Sequence, residues 1–325
     1  MPVTRMASMA RQSLARPAPP GVARRRVSLG SIYGRRGALY LMLVPAAVLL
    51  IVFGVYPLWG VSIAFVRYNP VAGLAGSPWV GLAHFKEVFR RGVMAGLLRN
   101  TLLISSGKIL LGELAGLAFA LLVREVGWRP YRQLVQTVAT IPQFFSWVIM
   151  GALMLSILGS SGGVNDLLVW LGLGKVKFLT DKNIFPFVLV LSDVWKEFGW
   201  SSVIYLAALT QIDPHLVEAA AVDGAGRGAR LWLIELPIVV PTFVFLVVLG
   251  FGYILDAGFE QVLVLYNPTV YQTGDILDTY VYRMGLVNFK FEIATVVGVF
   301  KCVVGFVTIL IANWVSGKVA GQRMF

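Results

Sequence analysis

The sequence predicts an all-α polytopic membrane protein with six membrane-spanning helices. Of its 325 residues, 58% are hydrophobic and 14% are charged, and the mean hydropathy is +0.78. A soluble domain of this length could not bury so much apolar surface. A helix needs about 20 predominantly apolar residues to cross the roughly 30 Å hydrocarbon core of a bilayer. Six segments of the chain meet this requirement.

The six predicted spans are joined by polar connections and flanked by two cytoplasmic segments. An arginine-rich arm, residues 1–37, precedes the first span, and a short tail, residues 316–325, follows the last. In the second span, Gly112 and Gly116 are four residues apart, a spacing that permits close helix contact. The spans cover residues 38–65, 101–123, 134–158, 185–209, 237–259 and 293–315.

The arginine-rich arm determines the predicted orientation. It contains eight arginines and no acidic residue, and positively charged segments beside a span tend to stay in the cytoplasm. Because the number of spans is even, the C-terminus is predicted to be cytoplasmic as well. The connection between the fourth and fifth spans, residues 210–236, then lies on the same side.

Several functions are disfavoured by composition and motif. The isoelectric point near 10.0 arises mainly from the arm beside the membrane, where anionic lipid explains it better than nucleic acid. Cys302 is the single cysteine and lies in the last span, so no disulfide framework is expected. His84 and His215 lie in different connections and have no second ligand at metal spacing. No glycine-rich phosphate-binding loop is present, so ATP would have to be bound by another subunit.

The connection formed by residues 210–236 has the features of a docking element. Asp213 is a favourable N-cap and is followed by a proline at the first helical position, so a short helix is predicted over Pro214–Val222. Gly224 ends it, because glycine readily takes the left-handed conformation found at helix C-termini. The alanines of this helix let another backbone approach closely. A second amphipathic piece, Arg230–Glu235, leads into the fifth span.

This connection resembles the EAA loop of permease subunits of ATP-binding cassette importers. The letters "EAA" begin at Glu218, "DGA" begins at Asp223, and "I-x-L-P" ends at Pro237, while Leu231 stands where an aromatic residue is usual. The resemblance implies that the short helix couples to a groove on a partner ATPase. The implied coupling residues are Glu218, Ala219, Ala220, Asp223, Gly224 and Ala225.

Further motifs extend the resemblance from about Leu39 to Trp314. They include "VGLAHFKEVF" from Val80, "DVWKEFGWSSVIYLAAL" from Asp193 and "YNPTVYQTGDILDTYVYR" from Tyr266. These motifs are similar to the carbohydrate-uptake branch, of the polysaccharide or oligosaccharide type, and most similar to a permease of an alginate-oligosaccharide importer. The resemblance therefore implies a type I importer permease fold in the bacterial inner membrane.

The same resemblance implies a set of partners. They are a second permease subunit that is a different chain, two ATPase subunits that carry ATP and Mg²⁺, an extracytoplasmic solute-binding protein, and an oligosaccharide moved by alternating access. No cofactor is expected in this chain. The alternative is a secondary transporter or a membrane scaffold protein not coupled to an ATPase, although no internal repeat supports a secondary transporter.

Charged residues inside the fourth span form the candidate substrate pathway. Lys196 and Glu197 lie three and four residues after Asp193, so these charged residues share a helix face with Trp200. Three charges in lipid would cost about 8 to 10 kcal/mol, more than the apolar side chains of the span return. This face must therefore line a pathway or pair with other helices.

The available partners for these charges are Lys108 and Glu113 in the second span and Lys301 in the sixth. Two interpretations stay open: ion pairs that only hold the helices together, or a substrate contact by Lys196 or Lys301. Complete pairing would indicate a neutral sugar, whereas the resemblance to a uronate importer indicates an acidic one. An acidic oligosaccharide is the expected substrate.

Overall fold

The structure is a computed structural model that describes residues 29–90 and 92–319. Within these ranges every element of regular secondary structure is a helix. Val66 and Trp79 form an isolated antiparallel β-bridge. The all-α prediction is confirmed. The α-helices are α1 (Leu29–Leu49), α2 (Ala83–Arg90), α3 (Val93–Glu125), α4 (Arg129–Thr140), α5 (Trp147–Leu158), α6 (Gly163–Trp170), α7 (Phe185–Leu209), α8 (Pro214–Val222), α9 (Arg227–Arg230), α10 (Leu236–Gly252), α11 (Phe259–Leu265), α12 (Tyr271–Gly274), α13 (Leu277–Tyr282) and α14 (Phe291–Val319).

The chain divides after Trp59 into two compact units. The first unit contains α1 and the π-helical turn over Leu50–Val55 that follows it. The next segment, a 3₁₀ helix over Tyr56–Phe65, includes the point of division after Trp59. α1 begins inside the predicted arm and α14 extends into the predicted tail, because hydropathy detects only the lipid-spanning part of a helix that continues beyond it. Residues 1–28 of the arm and 320–325 of the tail lie outside the described residues.

Membrane-spanning character is clear for five of the described helical segments, against six predicted. The predicted fourth span coincides with α7 but is not among the five, because it carries three charged side chains within 25 residues. Ten of those 25 residues are buried in the protein, including Lys196. The five segments are Tyr40–Phe65, Val93–Glu125, Trp147–Trp170, Arg227–Gly252 and Phe291–Trp314.

The predicted third span, residues 134–158, is interrupted. α4 ends directly before a 3₁₀ turn over Ile141–Phe144, and α5 starts after two further residues. Pro142 explains the interruption, because proline lacks a backbone N–H and its ring clashes with the preceding turn. The apolar stretch that is long enough to span continues instead through α5 and α6 to Trp170.

The predicted fifth span forms one helical run with the second piece of the loop. α9 passes through a π-helical turn over Leu231–Glu235 into α10. α10 ends at Gly252, before the predicted end of the span at Phe259. Gly258, with φ of +83°, redirects the chain into the short helix α11.

α3 and α7 lie against each other closely. A Cβ atom added at Gly116 of α3 would come within 1.9 Å of the Ser201 hydroxyl oxygen of α7. Gly112 does not take part in this contact, since a Cβ added there meets no atom within 4 Å. The glycine pair therefore marks a close helix contact at one of its two positions.

Gly199 of α7 provides a test of the packing against α4. A Cβ added there would lie 2.1 Å from the carbonyl oxygen of Ala139, and a backbone obstacle cannot rotate away. We expect Gly199→Ala to lower the free energy of unfolding by about 1 to 3 kcal/mol, the usual cost of overpacking. The measurement is the melting temperature of the purified protein.

Gly112→Ala is the matched control for this measurement. It places the same methyl group in a helix but in open space, so the melting temperature should stay the same or rise slightly with helix propensity. Equal melting temperatures for the two variants would contradict the close approach of α7 and α4.

Candidate coupling loop and transport pathway

α8 begins as the sequence predicts. Asp213 has an extended backbone, with φ −60° and ψ 120°, and its carboxylate accepts a hydrogen bond from the backbone N–H of His215 at 2.9 Å. This bond satisfies one of the amides that a helix start leaves without an intrahelical partner. The prediction of Asp213 as the N-cap is confirmed.

The end of α8 is a Schellman motif. Gly224 has φ of +81°, its N–H donates to the carbonyl of Ala221 at 3.2 Å, and the N–H of Ala225 donates to the carbonyl of Ala220 at 2.9 Å. This pair of bonds with a left-handed residue is the usual way to satisfy the last carbonyls of a helix. The left-handed conformation predicted for Gly224 is confirmed.

α8, called the docking helix below, has no buried residue. The side chain of Glu218 is 74% exposed, with His215 at 3.7 Å from its carboxylate, and Val222 is 87% exposed. Val217 is half-buried and packs on an apolar cluster of α3, α7 and α10. All six predicted coupling residues lie in the docking helix and its C-terminal turn: Glu218, Ala219, Asp223 and Gly224 are exposed, and Ala220 and Ala225 are half-buried.

Arg124, in the last turn of α3, contacts both ends of the loop that carries the docking helix. Its Nη1 donates to the carbonyl oxygen of Leu209 at 2.8 Å, and its Nε lies 3.4 Å from Oε1 of Glu235. The sequence did not single out Arg124 as a functional residue. The isolated acid at Glu235, just before an apolar span, was the available signal for its partner.

Lys108 of α3 joins three elements inside the bundle. Its side chain is 9% exposed and its Nζ lies 3.2 Å from Oδ1 of Asp193 on α7. The same Nζ donates to the carbonyl of Ala257 at 2.8 Å and to the side-chain oxygen of Gln261. Gln261 is fully buried and donates to the carbonyl of Leu189 at 2.7 Å. Lys108, one of the partners available to the charges of α7, thus pairs with Asp193.

Lys196 of α7 lies at the interruption between α4 and α5. Its Nζ donates to both the carbonyl and the side-chain oxygen of Gln143 at 3.0 Å. It also lies 3.4 Å from Glu197 and 5.4 Å from the ring centre of Trp147. Irregular backbone at membrane depth needs partners for its polar groups, and Lys196 supplies one for the 3₁₀ turn.

The other two charged residues have partners that the sequence analysis did not assign. Lys301 of α14 donates to both carboxylate oxygens of Asp278, at 2.6 and 2.8 Å. Asp278 lies in α13, outside the predicted spans, so the partner of Lys301 is not one of the acids within the spans that the sequence offered. Glu113 accepts a hydrogen bond from the hydroxyl of Tyr205 at 2.5 Å instead of pairing with a lysine.

The predicted pathway residues therefore do not form a single cluster. Asp193 pairs with α3, Lys196 and Glu197 lie at the interrupted span, and Lys301 pairs with α13. Trp200 is 50% exposed, and its ring meets that of Phe144 edge-on at 6.2 Å. Their contact with a substrate stays a prediction.

Residues 114–321 match the family described as binding-protein-dependent transport system inner membrane component. The chain belongs to this family. Full-length relatives support the assignment, as does the close match of the fold to solved importers.

Two of the similar proteins come from Bacillus subtilis (strain 168). The polygalacturonan/rhamnogalacturonan transport system permease protein YteP is 40% identical over 88% of this chain and 90% of its own length. Protein LplB is 38% identical over 95% of this chain and 98% of its own length. The crystal structure of a bacterial alginate ABC transporter, in complex with an alginate pentasaccharide-bound periplasmic protein, contains a chain 37% identical to this one. The TM-score is 0.81, and the match covers 91% of this chain and 99% of that chain.

These similarities confirm the predicted fold and class. The chain has the type I importer permease fold and is a permease subunit of an ATP-binding cassette importer of the carbohydrate-uptake type. They favour this class over a secondary transporter or a scaffold protein. The chain is thus a transport subunit of the membrane.

Proposed function

We propose that the chain is one of two permease subunits that import acidic oligosaccharides, and that its docking helix transmits ATP hydrolysis to the spans. The observation that carries the coupling role is the docking helix itself. It is short, satisfied by hydrogen bonds at both ends, and exposed along the face of Glu218 and Ala219. A helix held in this way presents a rigid, small-residue surface that fits a groove on another protein.

The proposed complex contains four further kinds of component. They are a second permease that is a different chain, two ATPase subunits that bind ATP and Mg²⁺, an extracytoplasmic solute-binding protein, and membrane lipid around the bundle. The similar alginate transporter was crystallised with a periplasmic protein that carries the sugar, which supports the solute-binding component. The present sequence has no phosphate-binding loop of its own, which supports a separate ATPase.

The coupling role requires the docking helix to lie in the cytoplasm, where ATP is hydrolysed. We therefore propose the bacterial inner membrane, with both termini and residues 210–236 inside. The eight arginines of residues 1–37 support this orientation. Arg227 and Arg230 add two further positive charges beside the docking helix, as expected for a cytoplasmic loop.

The support for an acidic substrate comes from the relatives. The name of YteP includes polygalacturonan, and a second solved transporter similar to this chain imports alginate, described as an acidic polysaccharide. The lysines of the spans add little support, because Lys108, Lys196 and Lys301 all have acidic partners in this structure. Charge on the cargo is therefore proposed from the similarity of the chains.

Among the pathway candidates, Lys196 and Trp200 are the ones we propose to meet the sugar. Lys196 lies 3.4 Å from Glu197, so this ion pair is looser than the pair of Lys301 with both carboxylate oxygens of Asp278. The Lys196 side chain itself is 7% exposed, and that of Glu197 is 36% exposed. Trp200 offers a half-exposed ring of the kind that stacks on sugar rings.

Coupling is tested with Gly224→Val and Glu218→Lys in the assembled transporter. At φ of +81° a side chain costs about 1 to 2 kcal/mol, so Gly224→Val should distort the end of the docking helix. Glu218→Lys reverses a charge on its exposed face. We expect assembly to persist while sugar-stimulated ATP hydrolysis and uptake fall roughly tenfold, the factor that about 1.4 kcal/mol represents.

Gly226→Val is the matched control for Gly224→Val. Gly226 lies two residues further along the same loop, has φ of −65°, and meets no atom where a Cβ would be added. It should therefore keep normal uptake. Normal uptake and normal stimulated hydrolysis in both Gly224→Val and Glu218→Lys would refute the docking role.

The cargo is tested by presenting charged and neutral sugars of equal length to the reconstituted complex with its binding protein. We expect alginate or galacturonate oligosaccharides to stimulate ATP hydrolysis and malto-oligosaccharides to leave it at its basal rate. Lys196→Gln should reduce the response to the acidic sugars, because it removes the cation beside Trp147. Equal stimulation by the neutral sugars would contradict an acidic cargo.

A further inference from the structure

Arg124 occupies a position where three helices and the coupling loop meet. Leu209, whose carbonyl accepts from Arg124 at 2.8 Å, is the last residue of α7. Glu235, whose carboxylate lies 3.4 Å from Arg124, is the last residue before α10. One guanidinium on α3 therefore contacts the chain where it enters the loop and where it leaves it. We call this set of contacts the Arg124 bridge.

The chemistry of these contacts suits an arginine. The last carbonyls of a helix lack intrahelical partners and carry the negative end of the helix dipole. A guanidinium has donors on several edges, so it can bind a carbonyl and a carboxylate together. α7 thus ends on a positive charge that is also the counter-ion of Glu235.

Both partners of Arg124 in the bridge are buried, while the Arg124 side chain is 24% exposed. Leu209 is 2% exposed and Glu235 is 4% exposed. The second carboxylate oxygen of Glu235 has no hydrogen-bond partner within the part of the chain that the structure describes. Removing one member of a buried pair leaves an uncompensated charge, so Glu235 depends on Arg124.

The docking helix is connected to the same place. Leu117, Tyr205 and Val239 belong to the apolar cluster on which Val217 of the docking helix packs, and Leu209 belongs to it as well. A neighbouring pair, Arg227 with Glu125, is looser: the atoms are 3.9 Å apart and Arg227 is 80% exposed. Exposed pairs of this kind contribute little.

We propose that Arg124 is a positioning residue that makes α7 and α10 move together with the docking helix. The proposal rests on the coupling function proposed above. With the Arg124 bridge in place, the two ends of the loop stay together, so a displacement of the docking helix by the ATPase reaches both helices. Without it, the ends can separate and the loop absorbs the displacement.

The test replaces Arg124 with glutamine in the complete transporter. Arg124→Gln should leave assembly with the ATPase, the basal rate of ATP hydrolysis and the KM for ATP unchanged. The stimulation of hydrolysis by sugar-loaded binding protein, and uptake with it, should fall roughly tenfold, as for a lost interaction of about 1.4 kcal/mol. Arg129→Gln is the matched control, since Arg129 is an exposed arginine five positions further along the same inner connection.

Two more variants keep the test decisive if Arg124→Gln assembles poorly. Glu235→Gln keeps the shape of the side chain and removes its charge, so it should uncouple transport as Arg124→Gln does. The exchange Arg124→Glu with Glu235→Arg restores an ion pair across the same gap and should recover part of the stimulation. Unchanged stimulation in Arg124→Gln, or an exchange variant that recovers assembly but no stimulation, would overturn the proposal.

The outcome also separates this proposal from the docking role itself. If Gly224→Val transports normally, the docking helix is not the coupling element and the proposed function fails. If Gly224→Val is uncoupled while Arg124→Gln is normal, the docking role stands and only the role of Arg124 is overturned.

Discussion

The bundle depends on the pairing of charged side chains in its apolar interior. Lys108 neutralises Asp193 at 3.2 Å and also holds Ala257 at 2.8 Å, so α3, α7 and the turn before α11 share one cation. Gly258 makes this possible, because a Cβ there would lie 2.7 Å from Nζ of Lys108. Since an isolated charge is costly at this depth, these helices cannot separate without exposing it. The segment between α10 and α14 is thereby fixed to the bundle.

Because of this pairing, the interior of the bundle and the loop that carries the docking helix have different roles. Most charged side chains inside the bundle pair with one another or with backbone carbonyls, so they mainly hold the helices in register. The docking helix differs, because the backbone groups at its two ends are hydrogen-bonded within the loop and its face stays exposed. The Arg124 bridge connects the two, because it lies at the end of α7 and beside the start of α10. Transport driven by an ATPase on a separate subunit needs both a rigid helix interior and an exposed surface for that subunit to contact.

Sequence signals predicted helix ends correctly where the neighbouring residues alone determine them. The N-cap at Asp213, the left-handed Gly224 and the bounds of α7 follow from neighbouring residues, and they were predicted correctly. The interruption at Pro142 was missed, because the apolar run continues through it and hydropathy does not report backbone breaks. Ion pairs between residues far apart in the sequence were harder to predict. The pairs of Lys301 with Asp278 and of Arg124 with Glu235 depend on which helices pack together. Spacing along the chain does not contain that information.

The central claim, that ion pairs hold this bundle together, is tested most directly by a double-mutant cycle on Lys108 and Asp193. The stability of the purified complex is measured for Lys108→Met, Asp193→Leu and the double variant. Asp193→Leu leaves the buried Lys108 without its counter-ion, so we predict a loss of about 3 to 5 kcal/mol. Lys108→Met leaves Asp193, which is 22% exposed, so its loss should be smaller, and the double variant should recover a clear part of both losses. Single variants as stable as the parent protein, or losses that simply add in the double variant, would contradict the claim.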